Sequence, residues 1–367
     1  MAANEIEQRV IDGTSWDEFC DKLKEAGQLI QRPETPDDAF NKAEGYRYLI
    51  RRARGALESA LEYGDVAFPK LQPSPAEGAK TGADNPDNYY QSCAIRPNND
   101  YKISGTRGTV DFLAFSTKGG SYGKDGNLSP TGYLDSQQLS CDANGYFELI
   151  ISQKKHEGNW LPMEANTNSM IVRQTFQDRE TEVRAELEIE CINATGTPEP
   201  FSAAKLDRGL RSAANQLIGT VNLFIDWAHS YRDQVNELPH MDQNIFQMAG
   251  GDPSIYYFHS QWRLADDEAL VIEAKTIPEC QTWNFQLDNF WMESLDFMNH
   301  RIHVNKHTAV YEDDGSVRII VTHKDPGLPN WIDTASHNDG TMCFRWIGAS
   351  VHPDVDTKVV KVSELRP

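Results

Sequence analysis

Gly158-Asn159-Trp160-Leu161, followed by Ser169-Met170-Ile171-Val172-Arg173, returns later in the chain as Pro329-Asn330-Trp331-Ile332 followed by Thr341-Met342-Cys343-Phe344-Arg345. The order and the spacing are kept. Upstream of each block a glycine leads a β-branched run: Asn144-Gly145 precedes Tyr146 to Ser152, and Asp314-Gly315 precedes Ser316 to Thr322. Further upstream Tyr89-Tyr90 matches Tyr256-Tyr257, and the offset drifts only from 167 to 172 residues across the whole correspondence. Self-similarity at so long a period signals duplication of a folded unit.

Working outward from the repeat divides the chain. Short apolar runs separated by Gly, Asn and Asp clusters read as strands over 89–195 and again over 252–367. Between them, Leu206, Leu210, Ala213, Ala214, Leu217, Val221, Phe224, Ile225, Ala228, Tyr231 and Val235 keep a helical period, which places one long helix within 200–238. Residues 1–66 read as a helical segment. Ser15 and Glu18 have capping-box spacing and start a helix running to Leu29; from Asp37 to Tyr63 the set Ala39, Tyr46, Leu49, Ile50, Ala53, Leu57, Ala60 and Leu61 predicts an apolar helix face. Residues 67–88, with Pro69, Pro73, Pro75, Gly78, Gly82 and Pro86, form the linker.

The Asn-Trp pair has a physical reason to be kept twice. An Asn side chain can bond a turning backbone while the indole covers the end of a core, so Trp160 and Trp331 are expected to be structural. Arg173 and Arg345 raise a different question, because a guanidinium within a strand needs a carboxylate or carbonyl partner. Inter-strand pairing and substrate binding are the two readings, and both residues are substrate-binding candidates.

The C-terminal block Asp314-Gly315, Pro329-Asn330-Trp331-Ile332 and Phe344-Arg345-Trp346 resembles the closing pattern of the bacterial domain-of-unknown-function family 1214: a glycine-led strand, then Asn-Trp-Leu-Pro, then an Arg-aromatic pair. Asn159-Trp160-Leu161-Pro162 of the first copy is closer to that motif, since the second has Asp333 where the family has Pro. The resemblance implies a jelly-roll-like β-sandwich and brings no assigned activity. The fold expected is therefore α+β, mainly β: two tandem sandwiches, a helical N-terminal segment and a long interdomain helix.

Composition excludes several classes of function. The formal charge of −20 repels phosphate backbones and anionic lipid, so neither nucleic acid nor membrane is expected as a partner. The start lacks the basic and apolar regions of a secretory signal, and the expected location is cytoplasmic. Six scattered cysteines without a Cys-x-x-Cys read as reduced thiols. No metal or nucleotide cofactor is expected, because Lys118-Gly-Gly-Ser-Tyr-Gly-Lys124 has the wrong spacing for a phosphate loop. The glycines from Gly119 to Gly132 read instead as a lid or rim.

The densest polar cluster is Asn299 to His307. Read as a strand, it places Arg301, His303, Asn305 and His307 on one face, with the imidazoles about 13 Å apart, too far to share one metal ion. With Asp288 and Glu293, His303 and His307 are the catalytic candidates for acid–base work. Trp283 and Trp291, with Arg301 and Asn305, are candidates to bind substrate, although core packing competes for the aromatics. The expectation is a cofactor-independent enzyme acting on a small polar or aromatic-bearing molecule in a cleft of the second β-domain closed by the interdomain helix. The alternative is a non-catalytic glycan- or protein-binding module. Homo-oligomerisation through the N-terminal helices fits either.

Overall fold

The structure is a computed structural model describing residues 3–73, 80–123 and 126–366. The middle of the linker, with Pro75 and Gly78, and Lys124 of the glycine loop lie outside the described residues.

The first copy contains β1 (Asn88–Ala94), β2 (Tyr101–Thr106), β3 (Phe112–Ser121), β4 (Asn127–Asp135), β5 (Tyr146–Ser152), β6 (Trp160–Pro162), β7 (Thr167–Thr175) and β8 (Glu186–Cys191). The second contains β9 (Ile255–Arg263), β10 (Glu268–Ala274), β11 (Thr282–Asp288), β12 (His303–Asn305), β13 (Val317–Thr322), β14 (Trp331–Asp333), β15 (Asp339–Ile347) and β16 (Asp356–Lys361). Their sheets share one order, except that a two-residue strand of the linker, Gln72–Pro73, adds to the edge of β1 in the first copy. β1-β7-β3-β4 and β6-β5-β2-β8 in the first copy correspond to β9-β15-β11-β12 and β14-β13-β10-β16 in the second. Even the parallel pairs recur, with Trp160 beside Ile150 and Trp331 beside Ile320.

Period-two burial explains each sandwich. From β7 and β15, Met170 and Val172, and likewise Met342, Phe344 and Trp346, enter the cores, where they meet Ile103, Leu149 and Ile151 in the first copy and Ile272, Ile319 and Val321 in the second. The alternate residues of these central strands face the middle of the molecule, so the second face of each front sheet, the one containing β7 or β15, is also covered. Every residue of β11 is buried for that reason.

At the Asn-Trp corners the asparagines bond the turning backbone as expected, whereas the two indoles are half-buried beside the cores. Asn330 donates to the carbonyls of Val310 and Arg318 and accepts from the Val310 amide; Asn159 makes the matching bonds to Ser140 and Glu148. The indoles of Trp160 and Trp331 donate to the carbonyls of Ser152 and Thr322. Asn330 takes a left-handed conformation, φ 52°, which asparagine tolerates better than most residues. Asp333 departs from the family motif without loss, because its amide donates to Arg301, a bond proline could not make.

Helices fill the middle. α1 (Ala3–Ile11), α2 (Thr14–Leu29) and α3 (Ala39–Leu57) pack on α4 (Ala203–Ser230), and α5 (Gln243–Met248) leads into the second copy. The apolar stripe read for the interdomain helix is buried from Leu210 to Ala228. Two sequence readings are corrected. Ser15 is not a cap: α2 begins after Gly13, the Ser15 hydroxyl donates to buried Asp207, and Glu18 pairs with Arg9. The inward face of α3 runs through Asn41, Gly45, Tyr48, Arg52 and Ala56, while Ile50 and Tyr46 are exposed. The reason is Trp291, whose ring crosses so close to Gly45 that a Cβ there would stand 2.4 Å from it.

Candidate functional site: a cationic cavity between the sandwiches

Register places one tyrosine and one arginine from each copy toward the centre. Tyr90 of β1 lies opposite Arg173 of β7, and Tyr257 of β9 lies opposite Arg345 of β15. All four line a cavity of about 650 Å³ between the two front sheets, roofed by α4 through Leu217, Thr220, Phe224 and Trp227. That volume suits an organic metabolite or cofactor-sized molecule.

The lining is basic although the protein is strongly acidic. Arg52, Arg96, Lys118, Arg173 and Arg345 outnumber Glu58 and Asp84. Asp84 is already committed, accepting from the amide and hydroxyl of Ser294. Arg345 donates to Asn284, Gln286 and the Ala83 carbonyl, with no carboxylate among its hydrogen-bond partners. Arg173 reaches Asp252 at 3.4 Å and the Gly250 carbonyl. Arg52 is the least satisfied. It sits one turn beyond Tyr48 on the inward face of α3, and its Nε and Nη2 are sealed from solvent without an acceptor. Burial pulls its pKa below the ordinary arginine value.

Lys118 sits where β3 slips register against both neighbours, between Thr117 and Gly119, and its side chain is turned into the protein at 2 % exposure. Its Nζ donates to the Gly251 carbonyl at 3.1 Å. Burial, reinforced by Arg173 and opposed by Asp252, pushes its pKa down to about 7, so a large fraction is the neutral amine near neutrality. His259 also lines the cavity. Burial lowers it to about 3, its Nδ1 lacks a partner, and its Nε2 faces the Cys343 thiol at 3.6 Å.

Of the sequence candidates, only Arg173 and Arg345 line this cavity. His303 and Asn305 instead clamp the linker: with Asn284 they surround the Asp87 carboxylate at 3.0 to 3.2 Å, and despite burial these partners hold its pKa below the usual value. His307 is exposed and 4.0 Å from Asp178. Only His303 to Asn305 form a strand, so exposed Arg301 does not share their face. Asp288 accepts one bond from Gln286, and burial raises its pKa well above the carboxylate range. Glu293 pairs with Arg51 at 2.8 Å. Trp283 stacks on Phe344 in the core, and Trp291 packs on Tyr48 while donating to the Asn41 carbonyl.

Sequence reasoning missed Arg52, Lys118 and His259. A cation one turn beyond the apolar Tyr48 was the legible signal for Arg52. The glycine-rich stretch, read as a lid or rim loop, is instead the β3–β4 hairpin, of which Gly120, Ser121, Tyr122 and Leu128 line the cavity.

Fold and site together define a tandem β-sandwich protein whose two copies close, with a helical layer, over one shared basic cavity. The C-terminal part of the chain, residues 264–351, matches the model of the family described as "Protein of unknown function (DUF1214)". The crystal structure of an uncharacterized protein from Burkholderia cenocepacia is similar throughout, at 47% identity and TM-score 0.96, covering 98% of this chain and 100% of that one. The VPA0106 protein from Vibrio parahaemolyticus is more distant, at 11% identity and TM-score 0.47 over 86% of this chain and 98% of that one. No curated protein matches. Among the described residues no helix is long and apolar enough to cross a membrane.

Proposed function

We propose that the protein binds a small organic anion in the interdomain cavity and acts on it by acid–base chemistry without a nucleotide cofactor. The observation carrying this reading is the cavity lining, in which Arg52, Arg96, Lys118, Arg173 and Arg345 outnumber Glu58 and Asp84. An anionic ligand supplies the counter-charge that this lining lacks. Leu217, Phe224 and Trp227 give the ligand an apolar flank, which suits an aryl or branched body. An ionisable group poised near neutrality inside the pocket, Lys118, favours an enzyme over a shallow binding surface. The acid–base role thus moves from the predicted His303 and His307 to the cavity.

Calorimetric titration with aromatic carboxylates and their neutral amides tests the reading. Acids should bind and amides should not, and Arg52→Met should weaken the acids at least about tenfold, the loss of one charge-assisted contact. Equal binding of acids and amides, or none of either, would refute it.

A further inference from the structure

The molecule offers other unexplained features. The Cys343–His259 contact involves a thiol that burial pushes up to about 12, so it is inert as a nucleophile. Exposed Trp16, Phe40 and Tyr46 on the N-terminal helices have nothing to indicate what would cover them. Lys118 is different, because it joins an unusual position to a defined neighbourhood.

We infer that Lys118 is a nucleophile that forms an imine with a 2-oxo acid whose carboxylate is held by the cavity arginines. The inference rests on the proposed anion site and names its substrate class. Three observations converge. Lys118 is 2 % exposed yet lines the cavity, so its exposed surface belongs to the site. Its Nζ has a carbonyl acceptor at 3.1 Å and, among the described residues, no carboxylate within ion-pair distance, so Asp252 favours its charge only from further away. Arg173 lies close enough to disfavour its charge while also offering a guanidinium to an acid. An amine kept neutral by burial and a neighbouring cation is the arrangement that activates lysine toward carbonyl carbon. A carboxylate next to that carbonyl then brings the electrophile to the amine.

The chemistry needs no reactant beyond a proton from solvent. The amine lone pair adds to the ketone carbon and a proton moves from nitrogen to the former carbonyl oxygen; a second proton, drawn from solvent, lets that oxygen leave as water and gives the protonated imine. The positive iminium next to the substrate is a sink for electrons released at its α or β carbon.

The test incubates the full-length protein with phenylpyruvate and cyanoborohydride, then locates adducts by peptide mass spectrometry; phenyllactate, which keeps the anion and lacks the ketone, is titrated in parallel. Hydride reduction of an imine adds the mass of the acid less one oxygen. The expected result is modification at Lys118 at least about tenfold above any surface lysine, and none in Lys118→Met. The unmodified protein answers the question by itself, so a variant that misfolds does not weaken the test. Binding of phenyllactate with no adduct at Lys118, or adducts spread over surface lysines, overturns the imine and leaves the anion site standing. Failure of both acids to bind removes the anion site as well.

Discussion

Arg173 and Arg345 hold equivalent register positions in the two halves, each opposite a tyrosine, and both are buried at the wall of one cavity. Duplication therefore delivered a matched pair of cations to a shared space. Their partners have diverged, because Arg173 has Asp252 whereas Arg345 has only amide and carbonyl acceptors.

That asymmetry predicts unequal mutants. Arg345→Met strands the acceptors of Asn284 and Gln286 and should cost about 2–4 kcal/mol in chemical denaturation, whereas Arg52→Met removes unmet donors and should be neutral or stabilising. A large loss of stability in Arg52→Met would mean that Arg52 is structural.

The pH dependence assigned to Lys118 has a definite sign. Its folded pKa, about 7, lies below its ordinary 10.5, so between these values the unfolded chain holds the extra proton. Its contribution lowers stability fully below pH 7 and fades as pH rises toward 10.5. Lys118→Met should be more stable at neutrality by roughly 2–4 kcal/mol and should lose that rise, measured by denaturant midpoints across pH.

His337 and Glu44 join the second sandwich to α3 at 2.8 Å. Burial opposes the His337 charge, but Glu44 raises its pKa above 6.5; the same pairing holds Glu44 below 4.5 despite its own burial. The pair's contribution is present between these values, lost upward as pH passes the raised histidine pKa and lost downward as pH passes the lowered Glu44 pKa. His337→Gln should cost about 1–3 kcal/mol at pH 6 and less at pH 9. An identical loss at both would show that charge is not involved.

The corners should rank by burial. Asn330 is 1 % exposed and left-handed, whereas Asn159 is half-buried. Asn330→Ala should therefore cost about 2–4 kcal/mol and Asn159→Ala about 1–2 kcal/mol in urea titrations.

Removing the predicted histidines separates the two site readings. His307→Ala should change stability by less than about 0.5 kcal/mol, since its ring is exposed, and His303→Ala should loosen the Asp87 clamp. Ligand affinity in the cavity should be unchanged in both; a lost ligand in His307→Ala would return the site to the polar strand.

The sequence by itself determined the duplication, the strands on either side of each Asn-Trp corner and the long α4, because period, turn residues and repeated motifs are local properties of the chain. Arg173 and Arg345 were also legible, since a cation inside a repeated strand stands out without coordinates. Only tertiary structure decided that Arg52, Lys118 and His259 share a space with them. Those residues come from α3, β3 and β9, and whether a buried charge is paired or left open depends on neighbours far away in the chain. For the same reason Trp283 became core and His303 a clamp: the strand face was readable, but the linker that folds across it was not.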